Sequence, residues 1–299
     1  MSEQYVQHPE TPVIIIERDD EQPASPVITG GRERLQWWLA VAVVAGLLMA
    51  ALAAYIYWKH YTNLGIPVST SPSENISKLK APYQAEAAEI VLTSDSILGV
   101  ALDFYAIHGV QADIELNEPD TSDTSVMLYT RCADFTGAGK YIGSFVTKGQ
   151  ELQKDLSLLG YMGMANGQMV IGVSRSDKVK DYVQEQGGSF FRQFILVSDG
   201  VIPVRFYLHG KVERRAIGRM DDTLYYIATR HKETLWDFAD ALREYGFIDA
   251  IYLTGGDTYS FYRTRDGQRH DIGNRKEYPH KKWKGVTPWL VFRQHTNNP

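Results

Sequence analysis

The sequence predicts an α+β protein in which a mixed β-sheet domain with a few packing helices follows a single transmembrane helix. Three observations support this prediction. An uncharged, apolar run of helical length lies near the N-terminus, at residues 35–58. Beyond it, apolar runs of strand length alternate with turn residues such as Asn-Gly and Asp-Gly. Two later segments, 177–186 and 234–245, place apolar residues at helical spacing and are followed by glycines.

The composition limits the kinds of partner. A chain of 299 residues, 44% of them hydrophobic, can bury a substantial core. Its formal net charge is −5 and its basic runs are no longer than the cluster at 280–282, so nucleic acid is not expected as a partner. The single cysteine, Cys132, excludes an internal disulfide and argues against a cysteine-based zinc site. Its strand-like surroundings predict a buried, unreactive thiol.

Residues 35–58 are predicted to span a membrane. The run holds about 24 residues without a charge, enough to cross a hydrocarbon core of about 30 Å as a helix. Aromatic residues lie at both ends, as expected at the two membrane interfaces: Trp37, Trp38, Tyr55, Tyr57 and Trp58. The alternative is a cleavable signal peptide, but the run is long, starts far from Met1 and lacks the small residues of a cleavage site.

The span divides the chain into four predicted parts. Residues 1–34 form an acidic, proline-containing tail that we expect to be disordered and cytoplasmic. Residues 35–58 form the transmembrane helix, and residues 59–85 form a linker of loop character. Residues 86–299 form the β-rich domain. Because a short tail is more easily kept inside than a large domain, we expect this domain outside the cytoplasm, on the periplasmic side of a bacterial inner membrane.

The stretch 249–263 is the one around which we expect a site. It begins as a β-strand, breaks at Gly255-Gly256 and resumes as an aromatic strand at 259–262. Adjacent glycines let backbone N–H groups approach a bound ligand closely, because no Cβ intervenes. Three polar side chains crowd the same turn: Asp257, Thr258 and Arg263. The alternative is an ordinary tight hairpin between two core strands.

The helix predicted at 234–245 strengthens the expectation of a site. Thr234 fits the N-cap position, and Gly246 stops the helix. The helix leads into the strand at 250–253. This order of strand, helix and strand places the glycine turn at the carboxyl end of its strand, where α/β sheets commonly bind ligands.

Two other patterns allow either a structural or a functional interpretation. Asn166-Gly167 lies between two apolar runs, which is the usual signal of a type I′ hairpin. Arg214, Arg215 and Arg219 lie on a predicted strand and its turn. These arginines form either a solvated strand edge or a clamp for phosphate or carboxylate.

The order of the segments resembles the phosphodiester glycosidase family over residues 92–293. The matching segments are ANG at 165–167, SDG at 198–200, RRAIG at 214–218, LWDFADALREYG at 235–246 and DAIYLTGGDTY at 249–259. The resemblance implies hydrolysis of the bond between a sugar's anomeric carbon and a phosphodiester. It also implies one pocket lined by the Asn-Gly, arginine and glycine-rich segments.

Matched residue by residue, the resemblance is closest at five positions. Asn166 and Gly167 correspond to the family's Asn-Gly motif. Arg214 corresponds to its arginine, and Gly255 and Gly256 correspond to its glycines.

Four positions in the arginine and glycine motifs depart from the family's pattern, as do Gln168 and Met169, which stand where phenylalanines often follow Asn-Gly. Arg215 occupies a position usually held by a small hydroxyl residue, and Thr254 stands where the family has aspartate. Asp257 and Thr258 take the places of glycine and serine. The change at Thr254 removes a carboxylate suited to acid or base chemistry, and Asp257 becomes the remaining candidate for that role.

These matches lead to two hypotheses of different class. In the first, the protein is a membrane-anchored phosphodiester glycosidase of an envelope glycan or glycolipid, with Arg214 and Asp257 as catalytic residues. Binding of the sugar-phosphate ligand falls to Asn166, Gly167, Arg215, Thr254, Gly255, Gly256, Thr258 and Arg263. In the second, it is a glycan- or phosphate-binding module or a structural component of a membrane complex. The sequence specifies no metal, cofactor or oligomeric state.

Overall fold

The structure is a computed structural model that describes residues 30–60, 70–84, 86–203, 206, 209–256, 258–273 and 286–295. The chain divides into two compact units, Met1–Ile56 and Tyr57–Pro299. The described residues form four helices and sixteen strands. The helices are α1 (Gly30–His60), α2 (Pro72–Lys80), α3 (Lys178–Glu185) and α4 (Leu235–Tyr245). This confirms the predicted α+β class.

Helix α1 contains the predicted span. From Gln36 to Ile56 it is long and apolar enough to cross a membrane, and its side chains are exposed. A signal sequence near the N-terminus would have the same length and composition. The predicted disordered tail lies outside the described residues up to position 29.

The strands form three antiparallel sheets. In sheet I the order is β1 (Glu89–Ile97), β2 (Val100–His108), β12 (Thr223–Thr229), β11 (Arg215–Met220), β13 (Asp249–Leu253) and β10 (Ile195–Val197). In sheet II the order is β15 (Arg269–Ile272), β14 (Ser260–Arg263), β4 (Val126–Arg131), β16 (Trp289–Gln294) and β3 (Val110–Glu115). In sheet III the order is β6 (Gln150–Gln153), β5 (Phe145–Thr147), β9 (Ser189–Gln193), β7 (Gly160–Ala165) and β8 (Gln168–Val173).

The main core lies where the inner faces of the three sheets meet. Sheet I contributes Ile217, Ile251 and Leu253, which alternate with residues of the opposite face as strand geometry requires. The other two sheets contribute residues that include Leu290 of β16 and Met162 of β7. A second core lies on the outer face of sheet I, where α4 packs through Leu235, Phe238, Ala239, Ala241 and Leu242.

Helix α4 has the bounds that its sequence signals predict. The Thr234 hydroxyl accepts a hydrogen bond from the Asp237 backbone N–H at 3.0 Å, and Gly246 ends the helix with a φ of 110°. The helix connects β12 to β13. Both strands run antiparallel to β11, which lies between them, so they point the same way and their carboxyl ends share one edge of sheet I.

The cap on α4 gives a prediction for stability. Thr234→Ala removes the acceptor of the Asp237 N–H, so we expect the free energy of unfolding to fall by about 1 kcal/mol. For a domain of this size that corresponds to a fall in Tm of about 2–4 °C. Thr124→Ala, at an exposed loop position, is the matched control and should leave Tm unchanged. Equal Tm values for the two variants in thermal denaturation would contradict a stabilising role of the cap.

The predicted linker at 59–85 contains a helix, α2, which the composition did not suggest. The Ser71 hydroxyl accepts from the Glu74 N–H at 3.5 Å, and Pro72 occupies the first turn, so start signals are present in the sequence. The helix is short and polar, with only Asn75 and Leu79 buried. Asn75 donates to the Tyr161 hydroxyl at 2.8 Å, which fixes α2 on sheet III. Residues 61–69 lie outside the described part of the chain.

The Gly255-Gly256 turn is not a hairpin, so that alternative interpretation is wrong. Strand β13, before the turn, belongs to sheet I, whereas β14, after it, pairs with β15 and β4 in sheet II. The turn therefore carries the chain from one sheet to the other. By contrast, Asn166-Gly167 does join β7 to β8 as a hairpin, with φ values of 54° and 74° that fit a type I′ turn.

Candidate functional site

The candidate site lies at the carboxyl end of β13, where three separate segments meet. Thr254 directly follows β13, and Arg214 directly precedes its neighbour β11. The two strands are in register there, because Arg215 pairs with Leu253. The third segment follows β4 of sheet II and brings Asp134 to the same place.

Arg214 is buried and held by the protein on three sides. Its Nε donates to the Glu233 carbonyl at 2.9 Å, and its Nη2 donates to the Gly210 carbonyl at 2.6 Å. Its Nη1 donates to the Tyr252 hydroxyl at 3.3 Å, and the guanidinium lies 5.8 Å from the centre of that ring. A guanidinium carries five N–H donors, so about two remain for a ligand. The neighbours thus fix the orientation of Arg214.

Sequence reasoning missed Asp134, a carboxyl group whose pKa Thr254 and Arg214 both lower. Its Oδ2 accepts from the Gln193 side-chain amide at 3.2 Å, and the Gln193 oxygen accepts from the Phe194 N–H at 3.0 Å, which orients the amide. Burial raises the pKa of Asp134, and this effect outweighs the opposing effects of its neighbours. Those neighbours, in decreasing order of effect, are Thr254, Arg131, Gln193 and Arg214.

Thr254 is buried, and its hydroxyl lowers the pKa of the Asp134 carboxyl. The hydroxyl nevertheless lies outside direct hydrogen-bonding geometry with every group that the structure describes. A buried hydroxyl without a close partner is uncommon and costs free energy, so a ligand that bonds to it would be stabilised.

The glycine pair shapes the site rather than offering two free donors. A Cβ on Gly255 would lie 2.4 Å from the Glu213 carbonyl oxygen and 2.6 Å from the Tyr252 hydroxyl, so only glycine fits. The Gly256 N–H donates to the same Glu213 carbonyl at 2.7 Å. Burial raises the pKa of the Tyr252 hydroxyl, and the Gly255 backbone has the smaller, opposite effect of lowering it. The two glycines therefore tie the turn to the segment that carries Arg214.

Arg215 points to the opposite face of sheet I from Arg214. Adjacent strand residues alternate in direction, and Arg215 enters the space between sheets I and II. Its Nη2 donates to Glu213 at 2.8 Å and its Nη1 to the Arg214 carbonyl at 3.1 Å, while its Nε has no partner among the described groups. The structure thus does not bring Arg214 and Arg215 together as one clamp.

Asn166 and Gly167 lie at the far end of β7 from the site. The near end is Gly160, which pairs with Gln193, the residue that donates to Asp134. Six residues of strand separate Gly160 from Asn166, which is about 20 Å. Asn166 donates to the Leu79 carbonyl and to the Tyr182 hydroxyl, both at 3.1 Å. Asn166 and Gly167 therefore lie far from Arg214, whereas their predicted role in ligand binding requires them to line one pocket with it.

The remaining predicted residues are distributed as follows. Thr258 is buried and donates to the Thr254 carbonyl at 3.3 Å, so it supports the turn. Arg263 lies at the other end of β14, where it donates to the carbonyls of Thr121, Val126 and Gly267. Asp257, the predicted base, lies outside the described residues.

Two further features bear on the site. Among the described residues no group of three or more His, Cys, Asp and Glu side chains is placed to hold a metal ion. A cavity of about 610 Å³ lies at the other end of sheet I, where its lining includes Asn75, Arg219 and Asp249. Of the three arginines that the sequence suggested as a clamp, Arg219 lines this cavity, whereas Arg214 and Arg215 do not.

No protein-family model and no curated protein sequence matches this chain. The solved structures that are similar to it include the following two. One is the catalytic domain of zebrafish N-acetylglucosamine-1-phosphodiester alpha-N-acetylglucosaminidase, auto-inhibited by its pro-peptide, with a TM-score of 0.48 and 13% identity over 73% of this chain and 86% of that chain. The other is a hypothetical protein from Synechocystis, with a TM-score of 0.49 and 10% identity over 69% of this chain and 62% of that chain. Both TM-scores are below 0.5, so neither likeness identifies an activity.

Proposed function

We propose that the domain hydrolyses a glycosyl phosphodiester of an envelope glycan or glycolipid, and that α1 anchors it in a membrane with the domain outside the cytoplasm. The observation that carries this proposal is the buried Arg214 guanidinium, fixed by three hydrogen bonds near the Gly255-Gly256 turn, together with the Asp134 carboxyl, whose pKa Arg131 and Arg214 lower. It combines cationic groups that suit a phosphate with a carboxyl group that suits proton transfer. The motif order described above supplies the substrate class.

The chemistry needs few groups. A phosphodiester is a good leaving group from an anomeric carbon, so its departure requires mainly stabilisation of negative charge. The two remaining N–H donors of Arg214 supply that stabilisation in a fixed orientation. A carboxylate directs water to the anomeric carbon, as in other glycoside hydrolyses.

The test uses the full-length chain in detergent, incubated with UDP-GlcNAc and with a methyl phosphodiester of GlcNAc-1-phosphate, while released reducing sugar is measured. We expect release by the unmodified protein and a loss of about 10²–10³-fold in Arg214→Gln, which removes the charged donors. Arg219→Gln is the matched control, because Arg219 lies at the other end of β11 and pairs with Asp249 at 2.6 Å. Equal loss in both arginine variants would contradict the site assignment.

A second candidate function is a binding module without turnover. Two points favour it: Thr254 stands where the family that the sequence resembles has aspartate, and three of the Arg214 donors already bond to the protein. In that case the same compounds would raise Tm, the increase would vanish in Arg214→Gln, and no sugar would be released. Detectable release by the unmodified protein excludes this candidate.

A further inference from the structure

We propose that the Tyr252 hydroxyl donates a hydrogen bond to the phosphate of the ligand, beside Arg214, and so stabilises the negative charge that develops there. The inference rests on the proposed function and deepens it, because it adds a neutral donor that the sequence motifs did not indicate. It is carried by the placement of three side chains on one face of sheet I, those of Arg214, Tyr252 and Thr254.

Strand register places these three side chains together. Arg215 and Leu253 form the last pair of the ladder between β11 and β13, so Arg214 and Thr254 stand opposite each other one position further along. Opposite residues of two paired strands point to the same face of the sheet, and so do residues two apart on one strand. Arg214, Tyr252 and Thr254 therefore project from the same face, at the same end of the two strands.

The Tyr252 hydroxyl has a proton left to donate. Arginine only donates hydrogen bonds, so tyrosine is the acceptor in the 3.3 Å bond between the Arg214 Nη1 and the Tyr252 hydroxyl. Among the described residues the structure shows no acceptor for the proton of this hydroxyl. The Thr254 hydroxyl likewise has no hydrogen-bond partner among the described groups. Buried donors without acceptors cost free energy, and a ligand oxygen that accepts from them removes this cost.

The hydroxyl is fixed in position and lies near the surface. The Tyr252 ring packs edge-on against Phe194 at 6.5 Å between ring centres, and its backbone N–H donates to the Phe194 carbonyl at 2.9 Å. Arg214 and Tyr252 each keep 6% of their surface exposed, whereas Arg192 in the core keeps none. Gly255, which lies against the hydroxyl, is partly exposed. The donors therefore lie at the open end of the strands and are not sealed in the core.

A phosphate suits this set of donors. The guanidinium of Arg214 supplies charge and the two hydroxyl groups supply neutral donors, all of which can bond to phosphate oxygens. When the bond from the anomeric carbon to the phosphate oxygen breaks, its electron pair stays on that oxygen and the phosphate gains one negative charge. Water forms the new bond to the anomeric carbon, and one of its protons passes to solvent. Donors already aligned at the phosphate stabilise the added charge without reorganising during the reaction.

The first test compares Tyr252→Phe with the unmodified full-length chain in detergent, with sugar release from the methyl phosphodiester of GlcNAc-1-phosphate as the measurement. Phenylalanine keeps the ring and its packing and removes the hydroxyl alone. We expect kcat to fall about 10²-fold, the effect of removing one donor to a developing negative charge. Tyr225→Phe is the matched control, because Tyr225 is a partly exposed tyrosine of β12 that pairs with Gly218, away from Arg214. Equal kcat in Tyr252→Phe and the control would overturn the inference.

A double-mutant cycle separates donation to the ligand from support of Arg214. If the hydroxyl acted only by holding the guanidinium, Tyr252→Phe would change nothing once Arg214→Gln had removed it. We expect the double variant to be about tenfold less active than Arg214→Gln, because one more donor to the phosphate is lost. Equal turnover in Arg214→Gln and the double variant would show that Tyr252 only positions Arg214.

Binding separates failure of this inference from failure of the proposed function. If the unmodified chain releases sugar and Tyr252→Phe is equally active, only the role of Tyr252 is overturned. If the unmodified chain releases none, hydrolysis is overturned, and the rise in Tm caused by UDP-GlcNAc then tests Tyr252. That rise should be smaller in Tyr252→Phe than in the unmodified chain, because the phosphate loses one donor. An equal rise in both, or no rise in either, would overturn the donation as well.

Discussion

Replacing Arg192 with methionine is expected to lower the free energy of unfolding by about 3–5 kcal/mol. Arg192 lies on β9 and is fully buried. Its Nη1 donates to the Ser174 carbonyl at 2.7 Å and approaches two further carbonyls, those of Leu158 and Leu159. Methionine fills a similar volume but donates no hydrogen bond, so these buried carbonyls lose their partners.

The charge of Arg192 is balanced less by carboxylates than by backbone dipoles. Its Nη2 donates to the Ser176 carbonyl at 3.1 Å and to Asp177 at 3.2 Å, the ion pair that the structure describes for it. Asp177→Asn keeps an acceptor oxygen and should therefore cost much less than Arg192→Met. A cost for Asp177→Asn equal to that of Arg192→Met would mean that the ion pair, not the carbonyls, carries the effect.

Thermal and chemical denaturation measure this prediction. For a domain of this size, 3–5 kcal/mol corresponds to a fall in Tm of about 6–20 °C. Arg243→Met is the matched control, because Arg243 is exposed on α4 and pairs with Asp240 at 2.7 Å. Exposed pairs at this spacing contribute about 0.3–0.5 kcal/mol, so the control should lose about 1–2 °C. A similar Tm for both arginine variants would show that the hydrogen bonds of Arg192 to these carbonyls do not stabilise the fold.

The local elements of the fold could be predicted because their signals are contained in adjacent residues. Helix α4 follows from one cap, one apolar stripe and one terminal glycine. The β11–β12 hairpin follows from the Asp221-Asp222 turn between two apolar runs, and Asp221 has a φ of 51°. Pairings between distant strands have no such signal. Thus the sequence did not reveal that Gly255-Gly256 joins two sheets.

Only part of the candidate site could be predicted from the sequence, for the same reason. Strands β11 and β13 are neighbours, which brings Arg214 close to Thr254 and Gly255. Each of the two strands carries one of the sequence motifs described above. Asp134 had no local signal: it is one aspartate after a strand, 120 positions before Thr254. The two-residue repeat of a strand does indicate that Arg214 and Arg215 face opposite ways, once both are placed on one strand.

Replacing Gly255 with alanine is expected to disrupt the candidate site more than the same replacement of Gly256. The added Cβ would meet the Glu213 carbonyl oxygen at 2.4 Å and the Tyr252 hydroxyl at 2.6 Å. The Glu213 carbonyl belongs to the residue directly before Arg214, and the Tyr252 hydroxyl accepts a hydrogen bond from Arg214. The added methyl group should therefore push the turn and the arginine apart. We expect a loss of about 1–3 kcal/mol in stability from the overpacking and of about 10²-fold in turnover from the displacement of Arg214.

Gly256→Ala is the matched control for this prediction. Gly256 has a φ of 72° and no heavy atom within 4 Å of an added Cβ, so alanine there costs about 1–2 kcal/mol of backbone strain without steric overlap. The two variants should therefore be similar in Tm but differ in activity, with turnover retained in Gly256→Ala. The double variant Gly255→Ala, Tyr252→Phe removes one of the two close contacts and should regain part of the lost stability. Loss of turnover in Gly256→Ala equal to that in Gly255→Ala would show that strain in the turn, rather than displacement of Arg214, governs the site.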